Sequence, residues 1–238
     1  MLPPSSRLRL LGRFQLVYGP GPVELGRNGQ RLLALLGLRG YTPRTVIAGT
    51  LWPEVTEEHA RGSLRTTLWK LPRGDQPLIQ CCGDSLTAAS ELRVDVSDFT
   101  AAALRVIQDC GPPPDAPPAL LNGEDLLPGW DEDWVLMERE RLRQLRLQAL
   151  DALAETLVRR DRPALALEAA WASVRTEPLR ESAHRAVVAA HLADGNLCEA
   201  VRHYRAFRRR LREELGVEPS PRFTRMLTDA GIALARAR

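Results

Sequence analysis

In the first hundred residues apolar positions come in short bursts, whereas beyond residue 134 they recur at helical spacing. Leu8, Leu10 and Leu16 alternate with polar or small residues, the period of two that marks a half-buried strand. Gly19-Pro20-Gly21-Pro22 turns the chain before Val23-Glu24-Leu25, so a small antiparallel sheet is predicted. Arg31 to Leu38 predicts an apolar helix. Thr42 followed by Pro43 predicts an N-cap with proline at the first helical position. Val46, Ile47 and Leu51 then give a second helix its buried side, and Trp52-Pro53 stops it. Thr56 predicts the cap of a third helix, Glu57 to Leu71, with Glu57 and Glu58 in the first turn where the helix dipole favours acid. Leu78 to Cys82 and Ser85 to Thr87 flank Gly83-Asp84 and predict a hairpin.

The remainder of the chain predicts helices. One runs from Asp98 to Ile107 and is followed by the proline-rich segment Gly111 to Pro118, which reads as a surface loop because proline cannot sit in a helix interior. Leu142, Leu145, Leu150, Leu153 and Leu157 give Trp134 to Val158 a sustained helical period. Further helices are predicted over Pro163 to Arg175, Glu181 to Ala193, Leu197 to Leu215 and Ser220 to Ala235. Ala166 and Ala170 recur 34 positions later as Ala200 and Tyr204, the period of tetratricopeptide repeats. Stacked helix pairs of this kind are recognition surfaces rather than catalytic scaffolds. The run Glu138-Arg139-Glu140-Arg141 reads as a self-neutralising solvated face.

The third helix carries the candidate chemistry. At about 100° per residue, Ala60, Leu64, Thr67, Leu68 and Leu71 share one face. Gly62, Thr66, Trp69 and Arg73 centre on the other, flanked by Arg65 and Lys70. Such a face suits a major groove: arginine reads guanine bidentately, the threonine methyl touches thymine, and glycine admits a close backbone approach. The bland alternative is a solvated face that carries arginines for solubility. The position of this helix, third before a hairpin, favours the first reading.

Composition narrows the picture. With 44% hydrophobic and 26% charged residues, 238 residues suit two small domains. The longest apolar run, Leu32 to Leu38, is far too short to span a bilayer, and Met1-Leu2-Pro3-Pro4 does not read as a secretory signal. A cytoplasmic protein is expected, with no membrane partner. Residues 1 to 98 hold 12 basic and 9 acidic side chains and residues 99 to 238 hold 21 of each, so the whole excess of +3 sits in the first part. Cys81, Cys82, Cys110 and Cys198 lack zinc-ligand spacing and read as free, partly buried thiols. His59, His184, His191 and His203 fall on predicted helices, without a GxSxG or HExxH motif. The single lysine, in Leu68-Trp69-Lys70-Leu71, does not fit a phosphate-binding Walker loop. No enzyme activity, metal or cofactor is expected.

Three stretches carry a resemblance: Leu179-Arg180-Glu181-Ser182-Ala183-His184-Arg185, Ala200-Val201-Arg202-His203-Tyr204, and Leu215-Gly216-Val217-Glu218-Pro219-Ser220-Pro221. With Leu127-Pro128-Gly129-Trp130, Trp134 to Leu142 and Asp95-Val96-Ser97-Asp98-Phe99, the chain from Leu8 to Leu227 resembles the short form of the SARP (Streptomyces antibiotic regulatory protein) family of transcription activators. The resemblance implies a mostly α fold with a small β component. A winged helix-turn-helix DNA-binding domain over residues 7–95 precedes an all-α, tetratricopeptide-like bacterial transcriptional activator domain over 96–235. It further implies double-stranded DNA as a partner, direct-repeat sites occupied by two protomers as a homodimer on DNA, engagement of RNA polymerase through its sigma factor, and residence at the nucleoid. The residues expected at DNA are Arg44, Arg61, Arg65, Thr66, Trp69, Lys70 and Arg73.

Three departures from the family pattern bear on this. The hairpin tip carries Asp84 where many members of the family have a basic or aromatic wing. Pro72 shortens the third helix and leaves Arg73 in a helix end or turn. Trp69 stands where members of the family more often carry a small residue, and packing under the wing or against the second domain competes with a DNA contact. The competing function is an adaptor that works through its helical-repeat surface, with a weakened DNA domain.

Overall fold

The computed structural model describes residues 6–19, 21–74, 76–108 and 118–232. Pro20 of the first turn, Cys110, residues 111–117 of the proline-rich segment and residues 233–235 of the last predicted helix lie outside them. The chain divides into two compact units, residues 1–101 with 124–142, and residues 102–123 with 143–238. The division at 95/96 drawn from sequence follows a different line, because residues 96–101 and 124–142 group with the first unit.

In the first unit β1 (Arg7–Arg9), β2 (Gln15–Tyr18) and β3 (Gly21–Val23) form an antiparallel meander. Next come α1 (Arg27–Arg39), β4 (Thr42–Pro43), α2 (Arg44–Leu51) and α3 (Glu57–Lys70). The hairpin β5 (Ile79–Cys82) and β6 (Ser85–Ala88) follows, then β7 (Arg93–Val94). β7 pairs parallel with β1, giving the order β3-β2-β1-β7, while β4-β6-β5 form a second sheet. The alternation read at Leu8 and Leu16 is that of directly paired neighbours, both buried. α1 lies close on the first sheet. A Cβ at Gly37 would stand 3.2 Å from Leu8 and 3.4 Å from Val94, so a larger residue there would push the helix off the strands.

Two details of the second helix differ from the sequence reading. Pro43 is the N-cap rather than the first helical residue, because Thr42 and Pro43 are drawn into pairing with β6. Thr42 Oγ1 donates to the Gly40 carbonyl instead of capping. Val46 is exposed, and Ala48 joins Ile47 and Leu51 in the core. Thr56 occupies the N-cap of α3, yet its hydroxyl lies 2.7 Å from His59 Nδ1 and makes no cap hydrogen bond.

α4 (Asp95–Ile107) starts three residues before the predicted position. The Asp95 carboxylate accepts from the backbone N–H of Leu10 at 2.9 Å and of Leu11 at 3.0 Å, tying the first turn of α4 to the end of β1. Burial holds the Asp95 carboxyl above its ordinary range, opposed by these backbone N–H groups. Residues 124–142 complete the unit. Leu126 bridges to Leu11, Trp130 stacks near Phe14, and the Arg27 guanidinium lies 3.8 Å from the Trp130 ring centroid. Arg139 donates to the carbonyls of Leu126, Leu127 and Trp130 at 2.7 to 2.9 Å. Only part of the Glu138 to Arg141 run is therefore self-neutralising, as in the 2.7 Å Arg141–Glu138 pair; Arg139 fastens the loop that carries Trp130.

After α5 (Pro118–Leu121), α6 (Asp133–Arg159) gives its residues from Arg143 onward to the second unit. α7 (Pro163–Thr176), α8 (Glu181–Ala193), α9 (Leu197–Leu215) and α10 (Pro221–Asp229) follow. The four positions that carried the repeat, Ala166, Ala170, Ala200 and Tyr204, are all buried. Small alanines let paired helices approach, while Tyr204, Phe207 and Phe223 fill the far end of the stack. Asp151 of α6 gathers Ser173, Arg180 and Ser182 at 2.7 to 3.1 Å, fixing the turn between α7 and α8.

Candidate nucleic-acid interface

α3 is amphipathic in the sense the sequence implies. Ala60, Leu64 and Thr67 are buried, with Leu68 and Leu71 partly so, whereas Arg61, Arg65, Thr66, Trp69 and Lys70 are exposed. Thr66 Oγ1 donates back to the Gly62 carbonyl at 3.0 Å, which leaves its methyl as the group presented outward. Trp69 is 69% exposed; the indole is not packed under the hairpin. Arg61 pairs with Glu57 one turn earlier at 2.7 Å, an exposed pair that another anion can displace at little cost.

Arg44 and Arg73 stand apart from that face. Arg73 follows Pro72 beyond the end of α3, whose C-cap is Leu71. Arg44 opens α2 and is half-buried, its backbone N–H donating to the Asp84 carbonyl and its guanidinium lying 3.4 Å from Cys81 Sγ. It thus reaches the hairpin from below. The hairpin turns tightly at Gly83-Asp84, with Gly83 at φ +60° and Asp84 exposed. Cys81 and Cys82 on β5 are exposed, not partly buried, and so is Cys198. The Cys82 thiol lies 3.6 Å from the Tyr41 hydroxyl and holds that phenol above its ordinary value.

A groove of about 840 Å³ runs along one flank of α3 against the start of α1. Arg65, Thr66 and Lys70 line it together with His59, Ser63 and the Gly26-Arg27-Asn28-Gly29 turn. Gly26 caps α1 without a side-chain hydrogen bond, and no acid occupies the first turn. The groove escaped the sequence reading because α1 was expected to begin at Arg31. The polar, glycine-containing run ahead of it was the available signal, since backbone N–H groups at a helix start are open to an anion.

Among the described residues no cluster of three His, Cys, Asp or Glu could hold a metal ion, and no helix is long and apolar enough to cross a membrane. Of the four histidines, His184 and His203 serve packing. His184 Nε2 donates to the Pro178 carbonyl at 3.0 Å, so its Nδ1 accepts from His203 Nε2 at 2.9 Å, and both rings are stacked in the second unit.

Residues 118–229 match the family model of the bacterial transcriptional activator domain. No curated protein sequence matches the chain. Among solved structures, Mycobacterium tuberculosis EmbR in complex with a low affinity phosphopeptide is similar over 95% of this chain, at 17% identity and a TM-score of 0.74. This chain spans 65% of the length of that one. The likeness is one of fold, mostly helical with a small β component, and the matched family supplies the activator domain within it. Residues 118–229 thus carry a bacterial transcriptional activator domain, and the fold is that of a winged helix-turn-helix followed by a helical-repeat unit.

Proposed function

We propose that this chain is a sequence-specific transcription activator that docks α3 in the major groove of double-stranded DNA and engages RNA polymerase, through its sigma factor, with the helical-repeat unit. The observation that carries the reading is the exposure of Arg61, Arg65, Thr66, Trp69 and Lys70 on one side of α3 while Ala60, Leu64 and Thr67 bury the other. In these roles Arg65 reads a base edge, Thr66 offers its methyl, and Trp69 lies flat against sugar or base. Arg61, Lys70, Arg73 and Arg44 neutralise phosphates. The open start of α1 beside Arg65 and Lys70 suits a further phosphate. Two protomers on a direct repeat would act as a homodimer on DNA, at the nucleoid in the cytoplasm. The DNA-binding and activator functions are assigned to residues 7–95 and 96–235.

A second reading, an adaptor with a weakened DNA domain, is favoured by one feature: the exposed hairpin tip carries Asp84, which repels phosphate. Quantitative binding of the intact protein to its own promoter region and to scrambled DNA of equal length separates the two. Preference for the promoter, with stimulated transcription by polymerase, is expected. Equal affinity for both, with capture of a protein partner through residues 99–238, leaves the adaptor.

A further inference from the structure

The second part of the chain is neutral as a whole, with 21 basic and 21 acidic side chains over residues 99–238. Its charge is nevertheless concentrated in α9, Leu197–Leu215, whose sequence holds six arginines and three glutamates. Ala200, Tyr204, Phe207 and Leu211 bury one side of this helix. Arg202, Arg205 and Arg209 line up on the opposite side, at the spacing of successive turns. The neighbouring arginines are engaged: Arg208 and Arg212 both pair with Glu218, and Arg210 pairs with Glu214 at 2.6 Å. Arg205 and Arg209 have no such partner among the described residues. Arg202 is held by Glu199 at 3.1 Å in a pair 73% and 45% exposed, which an incoming carboxylate can exchange.

These arginines line a groove of about 560 Å³, continued toward the start of α9 by apolar surface. Leu197 is 49% exposed and Val201 partly so, next to the Cys198 thiol. Asn196, the N-cap, donates its side-chain amide to Asp194 instead of capping, and Glu199 in the first turn offsets the positive end of the helix dipole, so the cationic part of the groove is the arginine stripe itself. We propose that this face of α9 is the docking groove for an acidic peptide segment of a partner protein, carboxylates on Arg205 and Arg209 and an apolar side chain on Leu197 and Val201. The proposal rests on the reading of the helical unit as the partner-engaging part and names the chemistry that part selects.

Size and the apolar end of the groove favour a peptide over nucleic acid, since the positive stripe attracts either. From Arg202 to Arg209 the stripe is about 10 Å long, the reach of about three extended residues. The apolar end gains nothing from a sugar-phosphate backbone but desolvates well against leucine or phenylalanine. The second unit, residues 102–123 with 143–238, holds 19 basic and 14 acidic side chains, so a polyanion is a competitor that the test has to separate.

The test uses the intact chain and a fluorescent synthetic peptide with two leucines followed by a run of glutamates, read by anisotropy. Saturable binding is expected, together with protection of Cys198 from alkylation as mapped by mass spectrometry. The double variant Arg205→Glu/Arg209→Glu should weaken binding about tenfold or more, because attraction becomes repulsion. Replacing the glutamates of the peptide by glutamine should do the same. Both arginines are exposed, and an unchanged melting temperature shows that the variant folds. Absence of saturable binding, or equal affinity for wild type and variant, overturns the proposal. So does duplex DNA of arbitrary sequence that displaces the peptide and loses affinity by the same factor in the variant, which would make the stripe a nucleic-acid surface. Promoter preference measured on the same proteins keeps the two readings apart. If it persists without peptide binding, only the docking groove falls; if it is absent while the peptide binds, only the activator falls.

Discussion

In the proposed docking of α3, Arg65 is the side chain assigned to base reading, since it is exposed on α3, lines the groove and sits one turn after the Glu57-paired Arg61. Arg65→Ala should cost about 1 to 3 kcal/mol of operator affinity and relax preference at one position of the site. A competition assay over single-base operator variants checks this, and a loss equal for all sequences would make Arg65 a phosphate anchor. At the same scale, the His184–His203 pair makes stability depend on pH. Burial, with His184 and His191 nearby, lowers the pKa of His203 from 6.5 to about 4, and burial lowers that of His184. The folded form thus binds fewer protons than the unfolded chain between these values. Stability held above pH 6.5 is lost as the pH falls toward about 4. Melting temperatures of wild type and His203→Phe across that window should diverge, the wild type falling more steeply; parallel curves would contradict the assignment.

At the scale of elements, Asp95 shows how one side chain makes a helix and a sheet cooperate. Its carboxylate takes both the Leu10 and Leu11 N–H groups, which have left the β1 ladder. Asp95→Ala strands these donors in a partly buried place, at a cost of about 1 to 3 kcal/mol. Urea unfolding should show a lower midpoint with an unchanged slope. The wing illustrates the limit of a sequence motif. Gly83-Asp84 gives the two-residue turn and its register legibly, Cys82 opposite Ser85, whereas the side of β5 that faces solvent, with both Cys81 and Cys82 exposed, was not readable. In a narrow sheet at the surface, alternation no longer sorts inside from outside.

For the whole molecule, the segment 124–142 changes what counts as the first unit. Leu126, Leu127, Trp130 and Trp134 are buried there, and Arg27 and Arg31 both reach Glu132 at 2.9 and 3.0 Å. A fragment ending at residue 95 loses this cover and exposes a large apolar area, which weakens its folding. The intact chain should therefore melt well above a 1–95 fragment and give a sharper transition, as calorimetry would show. Equal melting of the first unit in both would mean that the 124–142 contacts contribute nothing.

Periodicity determined the longer helices of the second unit, because each buries one continuous stripe whose spacing is set by the helix itself; α5 was not foreseen, and α10 stops at Asp229 short of the predicted Ala235. Glu181–Ala193 and Leu197–Leu215 match to the residue, and the order of short strands, three helices and a hairpin is equally local. The exposed face of α3 follows for the same reason: opposite Ala60, Leu64 and Thr67 it is polar, Trp69 excepted. Tertiary structure decided what depends on partners distant in sequence. Pairing with β6 turned Thr42-Pro43 from a cap into a strand. Arg139 became a clamp because the carbonyls of Leu126, Leu127 and Trp130 converge on it. The groove beside α3 exists only where the start of α1 meets it, and no spacing along the chain encodes that meeting, since hydrogen bonds and burial between remote segments are settled by packing.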